Sequence, residues 1–297
     1  MSYDLENITL GKQKLKENDI DGAMHHLHNI LKDNKGHIEL YLINFDLFRR
    51  NQITTKNYDF LKTIAEYYFS DNFIYHQLAF AQAIKLTNFY RKKKAKNRKS
   101  SLIDLDIINE KLFQLILKKC FITDLDLEFY LTKIRKKLLK KFLSNSDNLF
   151  FKKIYKFLIV FAEQKFFCEF IYHETDEEKD LLKKLMNKIK KKDGICELSI
   201  LLISLYKPLN KSNFLSKKLV SYISKSNEFN EFLKYVLHDP NKDKEVGMSL
   251  KSISNFSNKT SRLMKSQYEQ NPFPRWRYTL RPMKGNDINE LTKKFSQ

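Results

Sequence analysis

Three histidines, His25, His26 and His28, stand together near the N-terminus. Three residues apart, His25 and His28 share a helix face and could hold a metal ion between them. No third ligand follows at a coordinating spacing, so they read as surface histidines of a helix, and no metal is expected. A second candidate pair, Glu163 and Glu169, interrupts the apolar stretch 149–172. Two carboxylates in apolar surroundings are the raw material of general acid–base catalysis. Six positions apart on a helix they face different ways, which predicts separate hydrogen-bonded roles. Cys120, Cys168 and Cys196 are odd in number and widely spaced, with no C-x-x-C. That excludes a disulfide framework and a cysteine zinc site, and it fits a reducing, cytoplasmic setting.

The motifs of several reaction classes are absent. The chain has no G-x-S-x-G, no H-E-x-x-H and no G-x-x-x-x-G-K-[ST]. Its six glycines, Gly11, Gly22, Gly36, Gly194, Gly247 and Gly285, are isolated. A Rossmann-type site needs a glycine-rich turn after a strand so that the backbone can approach the nucleotide. No cofactor is therefore expected to bind this chain in that way, and no residue is assigned a catalytic role.

The elements that would carry any site read as helices. Gly and Pro number only six and five, fewer than strand proteins with tight turns need. Leu10, Gly11, Ala23 and Leu27 have the spacing of a tetratricopeptide repeat, with Asn18–Asp21 as the turn and helix cap. Helices are expected at 37–50, 57–69 and 72–91. One helix from Asp104 carries Leu105, Ile108, Leu112, Leu115, Ile116 and Cys120 on a stripe. Thr123–Asp126 caps the next, whose apolar face is Leu127, Leu131, Ile134, Leu138, Leu139 and Phe142. Its wet face is expected to be Lys133, Arg135, Lys136, Lys137, Lys140 and Lys141. Residues 149–172 are apolar almost all round, which places that helix at the centre of the core. Thr175–Glu178 is a capping box for helix 176–192, with Gly194 as its C-cap. A short buried helix spans 195–205, and helices follow near 213–224 and 227–237. His238–Glu245 reads as a polar break, and 257–270 as the last long helix.

The net charge of +20 points to an acidic partner, nucleic acid or an anionic membrane face. The block Arg91–Lys99 holds seven basic residues in nine. It has no interleaved aromatic to stack on bases, and Lys outnumbers the bidentate Arg, so a solvated linker is the better reading and nucleic acid is not the expected partner. No apolar run is long enough to span a bilayer, and no secretory leader is expected from the first residues.

The stretch Tyr268-Glu269-Gln270-Asn271-Pro272-Phe273-Pro274-Arg275-Trp276 contains the only Trp and two of the five prolines. Both residues before a proline are pushed to extended geometry, so a stiff segment must follow the last helix. The stretch resembles the Y-E-x-N-P-[YF]-P-R-W element that precedes the catalytic domain in bacterial tetratricopeptide-containing class I methyltransferase-like proteins. Other stretches are similar in order. Asp124–Glu128 with Leu131–Arg135 resembles one helix of that family, Ala162–Tyr172 a second, and Leu205-Tyr206-Lys207-Pro208-Leu209 a turn. Cys168 stands where the family often has Asn. The resemblance covers roughly residues 104–280 and implies S-adenosylmethionine as the cofactor of the family's catalytic domain. The family's cofactor-binding residues have no matching positions here. The expectation is a chain truncated before the methyltransferase domain and inactive alone, or one half of a split gene.

The fold class is therefore all-α: antiparallel helical hairpins in a degenerate tetratricopeptide-like array over 1–92, a basic linker over 93–103, a compact helical domain over 104–270 and an extended connector over 271–297. The interface residues are expected to be Tyr268, Glu269, Asn271, Pro272, Phe273, Pro274, Arg275 and Trp276. They would meet a missing or separately encoded methyltransferase domain, or Trp276 would clamp the connector onto its own helices. The alternative is a freestanding scaffold that binds a protein or peptide partner in a concave groove.

Overall fold

Apolar residues spaced three and four apart, with few helix breakers between them, give helices throughout the described residues. The computed structural model describes residues 2–19, 21–26, 52–70, 79–95, 103–144, 148–191, 194–249 and 258–270, and no strand occurs among them. The all-α class is therefore as expected. The chain divides into two compact units, with the break after Gln82.

In the first unit, α1 (Ser2–Lys16) is followed by a turn and by helical residues 21–26. Asn18 takes a left-handed φ of 60°, and the Asp19 carboxylate accepts the Gly22 N–H at 2.9 Å. This is the expected turn and cap. A Cβ on Gly22 would press on that carboxylate and displace it from the cap. Ile8, Gly11 and Ala23 are buried, and Asn7 meets His26 Nδ1 at 3.0 Å across the pair. Helix α2 (Tyr58–Ser70) buries Leu61, Ile64, Ala65, Tyr68 and Phe69 on one stripe. The expected helix at 37–50 lies outside the described residues, as does the start of the one at 72–91. Its remainder is α3 (Phe80–Ala95), inside which the division between units falls.

The second unit departs from the expected helices where side chains compete for backbone N–H groups. The stripe from Asp104 is two helices, α4 (Leu105–Ile108) and α5 (Lys111–Lys119). Asp104 caps the first, and the Glu110 carboxylate takes the Phe113 N–H at 2.7 Å to start the second. Asp124 caps α6 (Leu125–Ser144) through the Leu127 N–H at 2.8 Å. The apolar stretch 149–172 is also two helices, α7 (Asn148–Lys153) and α8 (Tyr155–Phe167), here with no side-chain cap at Ile154 between them, and it ends in an irregular turn. Helix α8 is the hub and packs against α5, α10 (Glu197–Ser204) and α12 (Asn227–Leu233). Phe157, Leu158, Phe161 and Ala162 are wholly buried there.

Helix α9 (Asp176–Lys190) opens on the expected capping box, with both Thr175 and Glu178 bonds formed. Its C-cap is Lys191 rather than Gly194, and no glycine takes a positive φ among the described residues. After α11 (Asn213–Leu219), the chain does not break at His238–Glu245. A π turn at Lys234–His238 joins α12 to α13 (Asp239–Ser249). Pro240 has no N–H and would clash with the carbonyl four residues back in a regular helix; a widened turn just before it relieves both. Helix α14 is Lys259–Gln270.

Candidate functional site

The apolar stripe of α6 runs through positions 127, 131, 134, 138 and 139, and position 135 falls on it, four after Leu131 and three before Leu138. Arg135 is accordingly in the core, 1% exposed, not on the wet face of the helix as expected. Its guanidinium bonds through Nε and Nη2. Nε and Nη2 donate to Glu178 Oε1 at 3.2 and 3.1 Å, and Nη2 also donates to the His173 carbonyl at 2.6 Å. The face of the guanidinium lies 4.3 Å from the Tyr206 ring centroid, and the Tyr206 hydroxyl donates to the same Glu178 oxygen at 3.1 Å. The other Glu178 oxygen accepts from the Thr175 N–H and hydroxyl at 2.9 and 3.0 Å. One capping carboxylate thus starts α9 and ties α6 to the turn after α10. Burial pushes the Glu178 carboxyl up, but the Thr175 N–H, Arg135 and Tyr206 outweigh it and hold the group below the usual range.

Beside this ion pair lies a lysine amine with no such partner. Lys165, on α8, is 0% exposed. Its Nζ makes no hydrogen bond and rests 2.9 Å from the Tyr172 ring centroid and 5.1 Å from that of Phe161. Burial, with Arg135 adding repulsion, drives its pKa well below the ordinary lysine value. Gln164 Nε2 donates to Cys168 Sγ at 3.0 Å, and burial raises both the Cys168 thiol and the Tyr172 phenol. The turn that returns Tyr172 over Lys165 is strained: Glu169 and Phe170 take φ of 51° and 58°, the left-handed region that side chains with a Cβ disfavour. The Phe170 N–H closes the turn on the Lys165 carbonyl at 3.0 Å.

Glu163 and Glu169 stand in different settings, the separation that their six-residue spacing predicts. Glu163 lines a cleft of about 250 Å³ between α5, α8 and α12, together with Leu115, Val160 and the Lys156–Glu228 pair, 3.4 Å apart. Glu169 instead sits in the turn beyond α8. A separate polar cluster surrounds Glu197, whose carboxylate accepts from the hydroxyls of Tyr155, Ser224 and, at 2.8 Å, Tyr222. Burial and that carboxylate push the Tyr222 phenol up to about 12. These hydroxyls anchor the start of α10, whose N-cap, Cys196, makes no capping bond of its own. His25 is exposed and His26 bonds Asn7, while His28 lies outside the described residues.

Tyr268 and Glu269 close α14. Asn271, Pro272, Phe273, Pro274, Arg275 and Trp276 lie outside the described residues. What the structure does bring together is the other quoted stretches. Arg135 comes from the first, Lys165, Cys168 and Tyr172 from the second, and Tyr206 from the third, and all meet around Glu178 and Lys165. Sequence singled out Glu178 only as the Glu of a capping box and Lys165 only as part of a resembling stretch, although a Lys in an otherwise apolar helix was visible there. The centre is buried, so its role is to lock α6, α8, α9 and α10 in one arrangement. Among the described residues no helix is long and apolar enough to cross a membrane. No protein-family model matches the chain, and no curated protein or solved structure does.

Proposed function

We propose that the chain is the helical substrate- or partner-binding region of a tetratricopeptide-containing, S-adenosylmethionine-dependent methyltransferase-like protein. In this reading a separate methyltransferase domain binds the cofactor and performs the transfer. The helices hold what that domain acts on, and the Tyr268–Trp276 stretch meets the domain. The supporting observation is the convergence of the three resembling stretches on one buried centre. They are scattered along the chain between Asp124 and Leu209. Chance likenesses in unrelated stretches have no reason to share a packing centre, whereas the framework of one domain does.

Titration calorimetry of the purified chain with S-adenosylmethionine is the direct test. The expected result is no binding and no methyl transfer. Micromolar affinity with transfer by this chain alone would overturn the reading.

A second reading, a freestanding interaction scaffold, is favoured by one observation. Gly11 and Ala23, the small residues at tetratricopeptide spacing, are both buried where the first two helices approach. Deleting residues 257–297 separates the two. Capture of a methyltransferase domain should be lost on deletion, while unchanged capture of peptide partners would favour the scaffold.

A further inference from the structure

Two surfaces of the second unit are complementary in both charge and polarity. The first is a corner where the start of α6 meets the turn after α8. Phe121 and Phe167 pack there with ring centroids 5.0 Å apart, and Glu128 lies near enough to Tyr172 to help raise its phenol after burial has done most of it. Leu125, Phe129 and Ile171 project from this corner at 69%, 62% and 65% exposure. The chain has 55 Lys and Arg, yet none falls between Phe121 and Thr132 or between Phe166 and Glu178. Asp124, Asp126, Glu128 and Glu169 stand there instead, with His173 exposed nearby. On a chain of net charge +20 this is an acidic, apolar corner.

The second surface has the opposite charge. Val220 and Ile223, 56% and 85% exposed, follow α11. They line a concavity of about 430 Å³ with Tyr222, Asn230, Leu233 and His238. Lys217, Lys218 and Lys225 flank them, and no acidic residue occurs between Leu209 and Asn227. Exposed apolar residues gathered in patches rather than scattered mark contact sites. Opposite charge around each gives the two patches a register and suppresses like-with-like pairing.

We propose that these surfaces meet between copies of the chain, so that it associates head to tail: the Leu125–Phe129–Ile171 corner of one copy enters the Val220–Ile223 concavity of the next. The contact is heterologous, so each copy keeps one free surface of each kind and association proceeds to rings or open chains rather than stopping at a two-fold dimer. This inference does not rest on the methyltransferase reading.

Sedimentation velocity on the full chain tests it. The weight-average sedimentation coefficient should rise with protein concentration at low salt, without a plateau at the dimer. It should fall to the monomer value in about 1 M salt, where the screening length is about 3 Å. Phe129→Ser and Ile223→Ser each remove one surface at an exposed position, so folding, followed by circular dichroism, is unaffected. Each variant alone should lose the rise. Mixed in equal amounts they should form a 1:1 dimer through the one intact surface on each. A wild-type chain that stays monomeric at its highest soluble concentration in low salt overturns the proposal. So does a single variant that associates like wild type, or a mixture that stays monomeric. Binding of a synthetic Lys-rich amphipathic peptide at Phe129 by a chain that does not self-associate would assign the corner to a different partner, with the same consequence.

Discussion

Replacing Lys165 with Met should make the protein more stable. Lys165 Nζ is buried without a hydrogen-bond partner. Leaving a buried donor unsatisfied costs about 1–3 kcal/mol, and more if it is charged. Its contact with the Tyr172 and Phe161 rings returns up to about 2 kcal/mol, but only for the charged form, which burial disfavours. Met fills a similar volume and its sulfur packs well against aromatic rings. The net expectation is a gain of about 1–3 kcal/mol, the usual result of exchanging a poorly satisfied buried charge for an apolar group. For a unit of this size that is roughly 2–4 °C in Tm per kcal/mol. The pH dependence carries a sharper test. The folded pKa of Lys165 is depressed below its unfolded value of about 10.4. Between those two values the unfolded chain binds a proton that the folded chain does not, so wild-type stability rises with pH there. Lys165→Met removes that slope. Its advantage should be largest below the depressed folded pKa and should shrink as pH approaches about 10.4. Urea denaturation of both proteins from pH 6 to 10 gives the difference directly. A variant that is less stable by more than about 1 kcal/mol, or that keeps the wild-type pH slope, would refute the reasoning.

Truncating Arg135 to Ala should cost about 3–5 kcal/mol in urea melts, because it strands the Glu178 carboxylate in the core. Arg135→Leu combined with Glu178→Leu should cost clearly less than the sum of the two single changes, since the partners share one interaction. Glu178 has a depressed folded pKa, so its contribution is present above the unfolded value of about 4.3 and is lost as pH falls through the folded one. Acid titration should therefore show a shallower loss of stability in Glu178→Gln than in wild type. Glu169→Gly removes a left-handed strain of roughly 1 kcal/mol and should raise the melting midpoint modestly; a marked loss would mean the side chain matters more than the backbone. A thiol reagent should titrate Cys196 at once and reach the buried Cys120 and Cys168 only on unfolding.

Much of the helical framework was legible because its signals are local. The capping box at Thr175–Glu178, the Asp124 cap of α6 and the Asn18–Asp19 turn each depend on a side chain reaching a backbone group a few residues away. Where the reading failed, two local signals competed. Residues 105–120 read as one helix, yet the Glu110 carboxylate restarts it at Phe113. Pro240 reads as a break, yet a widened turn lets the helix pass through it.

The sequence by itself determined that the chain is helical, where most helices begin, and which stripes face inward, since these follow from periodicity and capping over a few residues. It also held, scattered from Asp124 to Leu209, the stretches that meet at the buried centre. Only the tertiary structure decided that Arg135 lies inside, that its partner is the Glu178 cap 43 residues later, and that Lys165 shares the core with them unpaired. The reason is physical. A long basic side chain at the edge of an apolar stripe can turn to water or inward, and the choice depends on whether a carboxylate and a ring from distant helices stand ready to receive it.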